Sequence, residues 1–326
     1  MAGKSRLNNI FLCAVLMALY MSGCGMAEEN SGKNSGMGET VGENETLTAD
    51  DAAGMADEIA SGQEEVSYIP AGGEDNAVKD SETEMTPEGL GLSIMGDSIS
   101  TYDGYIPEGF VVFYPLNGEV QDVSQTWWMK LLDDTGMELC RNDSSSGSTC
   151  VGDSLSIDDP KYGCSGLRTS LLAGEQGRMP DIIIIYMGTN DLLIGVPLGD
   201  NDGTQSVEEG MVDNFSDAYC LILDKVVSNY PISQIYCCTL PPVGDWGTSQ
   251  PFVTLVNHIG LTSEDYSECI RVIADNKGVS VIELSDCGIE IDNLQEMTTD
   301  GVHMTPDGME CVERAVLNGM GFTTDR

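Results

Sequence analysis

Apolar and polar positions change character sharply along the 326 residues. From Leu90 onward short apolar runs recur: Leu90 to Met95 (LGLSIM), Met137 to Cys140 (MELC), Asp181 to Met187 (DIIIIYM), Ser233 to Leu240 (SQIYCCTL) and Val279 to Leu284 (VSVIEL). The third is continuous and β-branched, the pattern of a central parallel strand buried on both faces. Helical periodicity fills the gaps. Gln125 to Asp134 sets Trp128, Leu131 and Leu132 on one side. Val207 to Asn229 repeats at Met211, Phe215, Tyr219, Leu223 and Val226 and stops before Pro231. Ser263 to Asn276 repeats the pattern, and Thr305-Pro306-Asp307 reads as a cap and first turn leading into Met309 to Leu317. Five strands alternating with helices predict an α/β fold, a parallel sheet covered on both faces, with its reactive site at the carboxyl ends of the strands.

The N-terminal part follows other rules. Lys4 and Arg6 precede the apolar run Ile10 to Met21, which falls short of the roughly 20 residues a spanning helix needs and suits a signal peptide. Met21-Ser22-Gly23-Cys24 resembles a bacterial lipoprotein signal, which implies removal of residues 1–23 and lipidation of Cys24. Plain secretion is the outcome if that signal is not used. From Gly25 to Gly89 there are 17 acidic residues, two lysines and almost no apolar periodicity. Such a segment cannot offset its ordering entropy by burial, so residues 24–89 are expected to be a disordered acidic tether ahead of a folded domain at 90–326.

Charge narrows the partners. The chain carries a formal net charge of −40, and the part from Leu90 still holds 37 acidic against 10 basic residues. Nucleic acid and anionic membrane surfaces are thereby excluded as direct partners. Membrane contact is expected through Cys24 alone, at an extracytoplasmic, cell-surface location.

Four short motifs carry candidate chemistry. The first strand runs into Gly96-Asp97-Ser98, which places a hydroxyl where the crevice of such a sheet opens. Gly152-Asp153-Ser154 has a similar spelling but follows a serine- and glycine-rich stretch rather than an apolar strand, so nothing rigid would hold Ser154. Asn142 to Gly147 (NDSSSG) is either a plain loop or one that turns a backbone N–H inward. Gly188-Thr189-Asn190-Asp191 is either a self-bonded turn or a strand end whose Asn190 amide faces a developing oxyanion. Asp300-Gly301-Val302-His303 offers an imidazole able to move protons near neutrality and a carboxylate three residues earlier to orient it. The only other histidine, His258, has no nearby acid in sequence before Glu264 and reads as structural.

In this order GDSIS (96–100), NDSSSGS (142–148), GTND (188–191) and DGVH (300–303) resemble the four blocks of the SGNH, or GDSL-like, hydrolase family, over the region from about Leu90 to Gly321. The resemblance implies a three-layer α/β/α, flavodoxin-like fold. It further implies Ser98 as nucleophile, His303 as base and Asp300 as its partner. The oxyanion donors would be the backbone N–H of Ser98 and of Gly147 and the side chain of Asn190. Met304 stands where a proline usually follows the histidine. No metal or other cofactor is implied.

SISTYDGYIP (98–107) and Thr126-Trp127-Trp128 are similar to secreted or lipid-anchored bacterial members, which often act on short acyl esters, including acetylated sugars. The expected substrate is therefore a small acyl ester or acylated carbohydrate, with lysophospholipase or thioesterase activity as the alternative. A carbohydrate-binding protein with a degenerate hydrolase fold is the non-enzymatic alternative. Tyr102, Tyr105, Trp127 and Trp246 are aromatics able to stack on a sugar ring, while the spacing of Trp128 favours burial. Nine cysteines remain beyond Cys13 and Cys24, and Cys140, Cys150 and Cys164 are the candidates for a local bridge.

Overall fold

The computed structural model describes residues 86–245 and 251–322. The expected signal peptide, Cys24, residues 24–85 of the expected tether and Trp246 lie outside them. In chain order the strands are β1 (Gly91–Gly96), β2 (Glu138–Ser144), β3 (Gly152–Asp153), β4 (Ile182–Tyr186), β5 (Met211–Val212), β6 (Gln234–Cys238) and β7 (Ser280–Ile282). The helices are α1 (Trp127–Thr135), α2 (Gly166–Ser170), α3 (Thr189–Ile194), α4 (Phe215–Asn229), α5 (Ser263–Lys277), α6 (Leu294–Met297) and α7 (Pro306–Gly319).

Five strands form one parallel sheet in the order β2-β1-β4-β6-β7. The isoleucines of β4 and nearly all of β1 are buried, as a sheet covered on both faces requires. Two groups of helices, α1 with α6 and α7 and α2 with α3, α4 and α5, flank it. The expected three-layer arrangement is the observed one. Helix boundaries follow local chemistry: the Thr305 side chain accepts from Gly308 N with Pro306 at the first position of α7, and Gly278 closes α5 in the left-handed region.

Register matters more than layering for the site. Gly96 lies level with Ser144 on one side and with Tyr186 on the other. The carboxyl ends of β2, β1 and β4 therefore share one edge. Strand order also reverses about β1, since β2 is added on one side and β4 on the other. Crevices in such sheets open at that point.

Two expectations need correction. The helix expected over 207–229 begins only at Phe215, after the Asn214 cap, and residues 211–212 instead pair antiparallel with β3. Gly210 at φ 143° cannot continue a helix, and Met211 is 74% exposed, so its place in the apolar repeat was accidental. The second strand, expected at 137–140, runs on to Ser144. Its last three residues are polar yet buried, because each is bonded within the core: Asn142 Nδ2 to the Ser100 carbonyl, Ser144 Oγ to Asn142 Oδ1, and Asp143 to Arg168.

Candidate active site

The first site element is the turn after β1. A Cβ on Gly96 would lie 2.7 Å from Ser144 Oγ and 2.9 Å from Ser100 Oγ, so only glycine lets the strand end there. Asp97 caps the single 3₁₀ turn Ser98–Ser100 by accepting from Ile99 N at 3.0 Å. Burial pushes its carboxyl up to about 6. Ser100 is held on three sides: its carbonyl accepts from Asn142 Nδ2 (2.8 Å) and Trp128 Nε1 (3.0 Å), and its Oγ from Trp127 Nε1 (3.1 Å). The turn that aims Ser98 is thus fixed at both ends.

The second element arrives from the loop before α7. Asp300 Oδ1 accepts the backbone N–H groups of Val302 (3.0 Å) and His303 (2.8 Å), which curls the chain so that Oδ2 lies 2.8 Å from His303 Nδ1. Across the ring, His303 Nε2 is 2.9 Å from Ser98 Oγ. The neutral tautomer with its proton on Nδ1 satisfies both contacts and leaves Nε2 to accept from the hydroxyl. Phe113 stacks on the imidazole, with centroids 3.6 Å apart and planes 9° from parallel, which limits ring rotation. Burial pushes the Asp300 carboxyl up. The His303 charge and the hydrogen bonds from His303 and Val302 outweigh that and hold it below its ordinary value.

The third element supplies donors. Asn190, in the first turn of α3, gives one amide hydrogen to the Ser148 carbonyl at 2.9 Å. Asp191 accepts from Cys150 N (2.8 Å) and Val151 N (3.3 Å), and burial pushes it up to about 7. Gly147 sits in the loop so held, at φ 77°. The backbone N–H groups of Ser98 and Gly147 take no acceptor among the described residues. With the second amide hydrogen of Asn190 they are three donors on the ends of three adjacent strands.

Other expected positions separate from this site. Trp127 does not line a sugar subsite: it is 0% exposed, a core side chain bonded to Ser100. Tyr105 is exposed and packs near Tyr102 and Trp128, and the half-buried Tyr102 donates its hydroxyl to the Gln121 carbonyl. Ser154 is buried, with its Oγ accepting from Gly210 N, and His258 is exposed. The nine cysteines among the described residues are all free, so the bridge expected among Cys140, Cys150 and Cys164 is absent. Cys164 instead directs its Sγ to the Gly152 carbonyl, while Cys140 lies beside Gly91 and Arg178. Two cavities, of about 310 and 250 Å³, border α4, and neither is lined by Ser98, Asn190 or His303. Among the described residues no group of three or more His, Cys, Asp or Glu could hold a metal ion.

Phe113 and Arg168 were not singled out from the sequence. Nothing in an isolated aromatic of a loop, or in an arginine of a five-residue helix, marks it as bordering a distant motif.

Residues 90–244 match the family model for GDSL-like lipase/acylhydrolase. By that match residues 90–244 form a GDSL-like, or SGNH, hydrolase domain. The chain shares its fold with a protein from Bacteroides ovatus named as a GDSL-like lipase. That likeness is at 27% identity and TM-score 0.52 and covers 72% of this chain and 99% of the other. A Bacteroides uniformis protein named in the same way aligns at 25% identity and TM-score 0.52, over 72% and 96% of the two chains. A protein from Lactobacillus plantarum has the same fold at 20% identity and TM-score 0.54, over 72% and 97%. No curated protein matches the chain. A matching region of the lipase and acylhydrolase type indicates a hydrolase.

Proposed function

We propose that this chain is a serine esterase that removes short acyl groups, O-acetyl groups on carbohydrate foremost, through an acyl-enzyme on Ser98. The observation that carries the reading is the relay Ser98 Oγ to His303 Nε2 at 2.9 Å and His303 Nδ1 to Asp300 Oδ2 at 2.8 Å. His303 takes the hydroxyl proton as Ser98 Oγ attacks the ester carbonyl. Charge that builds on the carbonyl oxygen is received by the N–H groups of Ser98, Gly147 and Asn190. Collapse expels the alcohol, which takes the proton back from His303. Water then attacks the acyl-enzyme with His303 again as base, releasing the acid and restoring Ser98. Asp300 keeps its charge throughout and stabilises the imidazolium.

A small acyl group is favoured because Ser98 and His303 are almost fully buried and Phe113 closes one side of the ring. The test compares turnover of p-nitrophenyl acetate, p-nitrophenyl decanoate, an acyl thioester, a lysophospholipid and an O-acetylated polysaccharide by the native chain and by S98A. Acetyl esters are expected to lead, with S98A inert. Preference for the decanoate or lysophospholipid would replace the short-acyl reading, and full activity of S98A would remove the nucleophile. The same proposal places the enzyme outside the cytoplasmic membrane, tethered through lipidated Cys24. Radiolabelled palmitate should enter the native chain and not C24A; equal labelling of both would contradict the anchor.

A further inference from the structure

Arg168 is fully buried, and its guanidinium is bonded throughout. Nη2 donates to the Gly96 carbonyl (2.8 Å) and the Asp143 carbonyl (2.6 Å), Nε to Asp143 Oδ2 (2.8 Å), and Nη1 to the Pro160 carbonyl (2.6 Å). Nη2 also lies 3.8 Å from Met187 Sδ, and the Phe110 ring stands 5.6 Å from the guanidinium carbon. These partners sit at the carboxyl ends of three adjacent strands: Gly96 ends β1, Asp143 is one residue from the end of β2, and Met187 follows β4.

The Gly96 carbonyl is shared. It also accepts from Ser145 N at 3.2 Å, at the start of the loop that holds Gly147. One guanidinium therefore clamps the carbonyl two residues before Ser98 to the strand end four residues before Gly147. A buried ion pair is costly to desolvate and contributes little net stability over an apolar filling of the same space. What it supplies here is geometry, because a planar fork can satisfy acceptors on separate elements at fixed angles. A lysine, with one nitrogen, cannot reach all four.

We propose that Arg168 is a positioning residue that sets the backbone N–H of Ser98 and the backbone N–H of Gly147 at the separation one oxyanion requires. The inference rests on the esterase reading above. Arg168 touches no reacting atom and acts through the Gly96 and Asp143 carbonyls. Its loss should fall on the chemical step rather than on substrate binding.

The experiment measures p-nitrophenyl acetate kinetics and thermal melting for the native chain, S98A, R168K, R168A and D143N, with R168A also assayed in added guanidinium and, separately, ammonium at equal ionic strength. R168K is expected to lose about 100-fold in kcat, as for a misplaced oxyanion donor, with KM within about threefold. Guanidinium, but not ammonium, should restore part of kcat to R168A. Folded R168K with native kcat would overturn the proposal, as would guanidinium that raises the melting temperature of R168A without raising kcat. Should neither arginine variant fold, D143N decides: a kcat-selective loss supports the clamp and native kcat refutes it. Activity in S98A would identify the esterase reading itself as the failure, independently of the Arg168 variants.

Discussion

Asn190 Nδ2 stands 2.9 Å from the Ser148 carbonyl, while the next residue, Asp191, holds the N–H groups of Cys150 and Val151. Two consecutive side chains at the start of α3 thus pin the loop that follows β2. The arrangement commits one amide hydrogen of Asn190 to the loop, and the other is the one proposed to meet the oxyanion.

N190A should therefore lose about 10² to 10³ in kcat, on the order of 3 to 4 kcal/mol of transition-state stabilisation, with a smaller change in KM. Steady-state kinetics on an acetyl ester give the answer. A loss below about threefold in a folded variant would remove Asn190 from the oxyanion site.

Asp300 does two jobs with its two oxygens, orienting the imidazole with one and curling its own loop with the other. D300N keeps the shape but offers an amide in place of one acceptor, so it favours the wrong imidazole tautomer. A fall of about 10³ to 10⁴ in kcat is expected. Unchanged kcat would mean that the carboxylate plays no part.

Three buried carboxyls give the fold a pH signature. Burial raises Asp97 and Asp143 to about 6 and Asp191 to about 7, whereas an unfolded aspartate sits near 3.8. Between these values the folded state binds more protons than the unfolded one. Their stabilising contribution is complete below about pH 4 and is lost as pH rises through 6 to 7. Asp300, held low, acts oppositely, and its contribution is lost only as pH falls below the ordinary carboxylate range. Melting should therefore occur at a higher temperature at pH 5 than at pH 7.5. A melting temperature that climbs from pH 5 to 7.5 would contradict this.

The nine thiols among the described residues make a further check. Burial pushes Cys164, Cys237 and Cys269 up to about 12, so few thiols should react in the native state. In denaturant without reductant, all nine should titrate with a chromogenic disulfide reagent. Pairs that appear only after reduction would reveal bridges.

Much of this was legible in the sequence because apolar pattern and motif order agree. The Ile182–Ile185 run marks the central strand, and each of the other four strands of the parallel sheet carries an apolar run of its own. The motifs that bear Ser98, Asn190 and His303, ordered as the family resemblance implies, fall at the ends of β1 and β4 and in the last loop. The parts that stayed hidden depend on contacts distant in sequence. The polar end of β2 is buried because Ser100 and Arg168 receive it, and Trp127 is core because its indole reaches Ser100. The isolated glycine at 210 outweighed an apolar repeat that looked helical. Free cysteines followed from where the strands and loops carry them, which spacing alone does not reveal.

The most direct measurement is covalent labelling of the folded chain by a fluorophosphonate, followed by peptide mapping. A single adduct on Ser98, lost on denaturation before labelling and in H303A, is the expected result. An adduct on Ser154 or elsewhere, or labelling that is indifferent to His303, would contradict the assignment of Ser98 as the nucleophile.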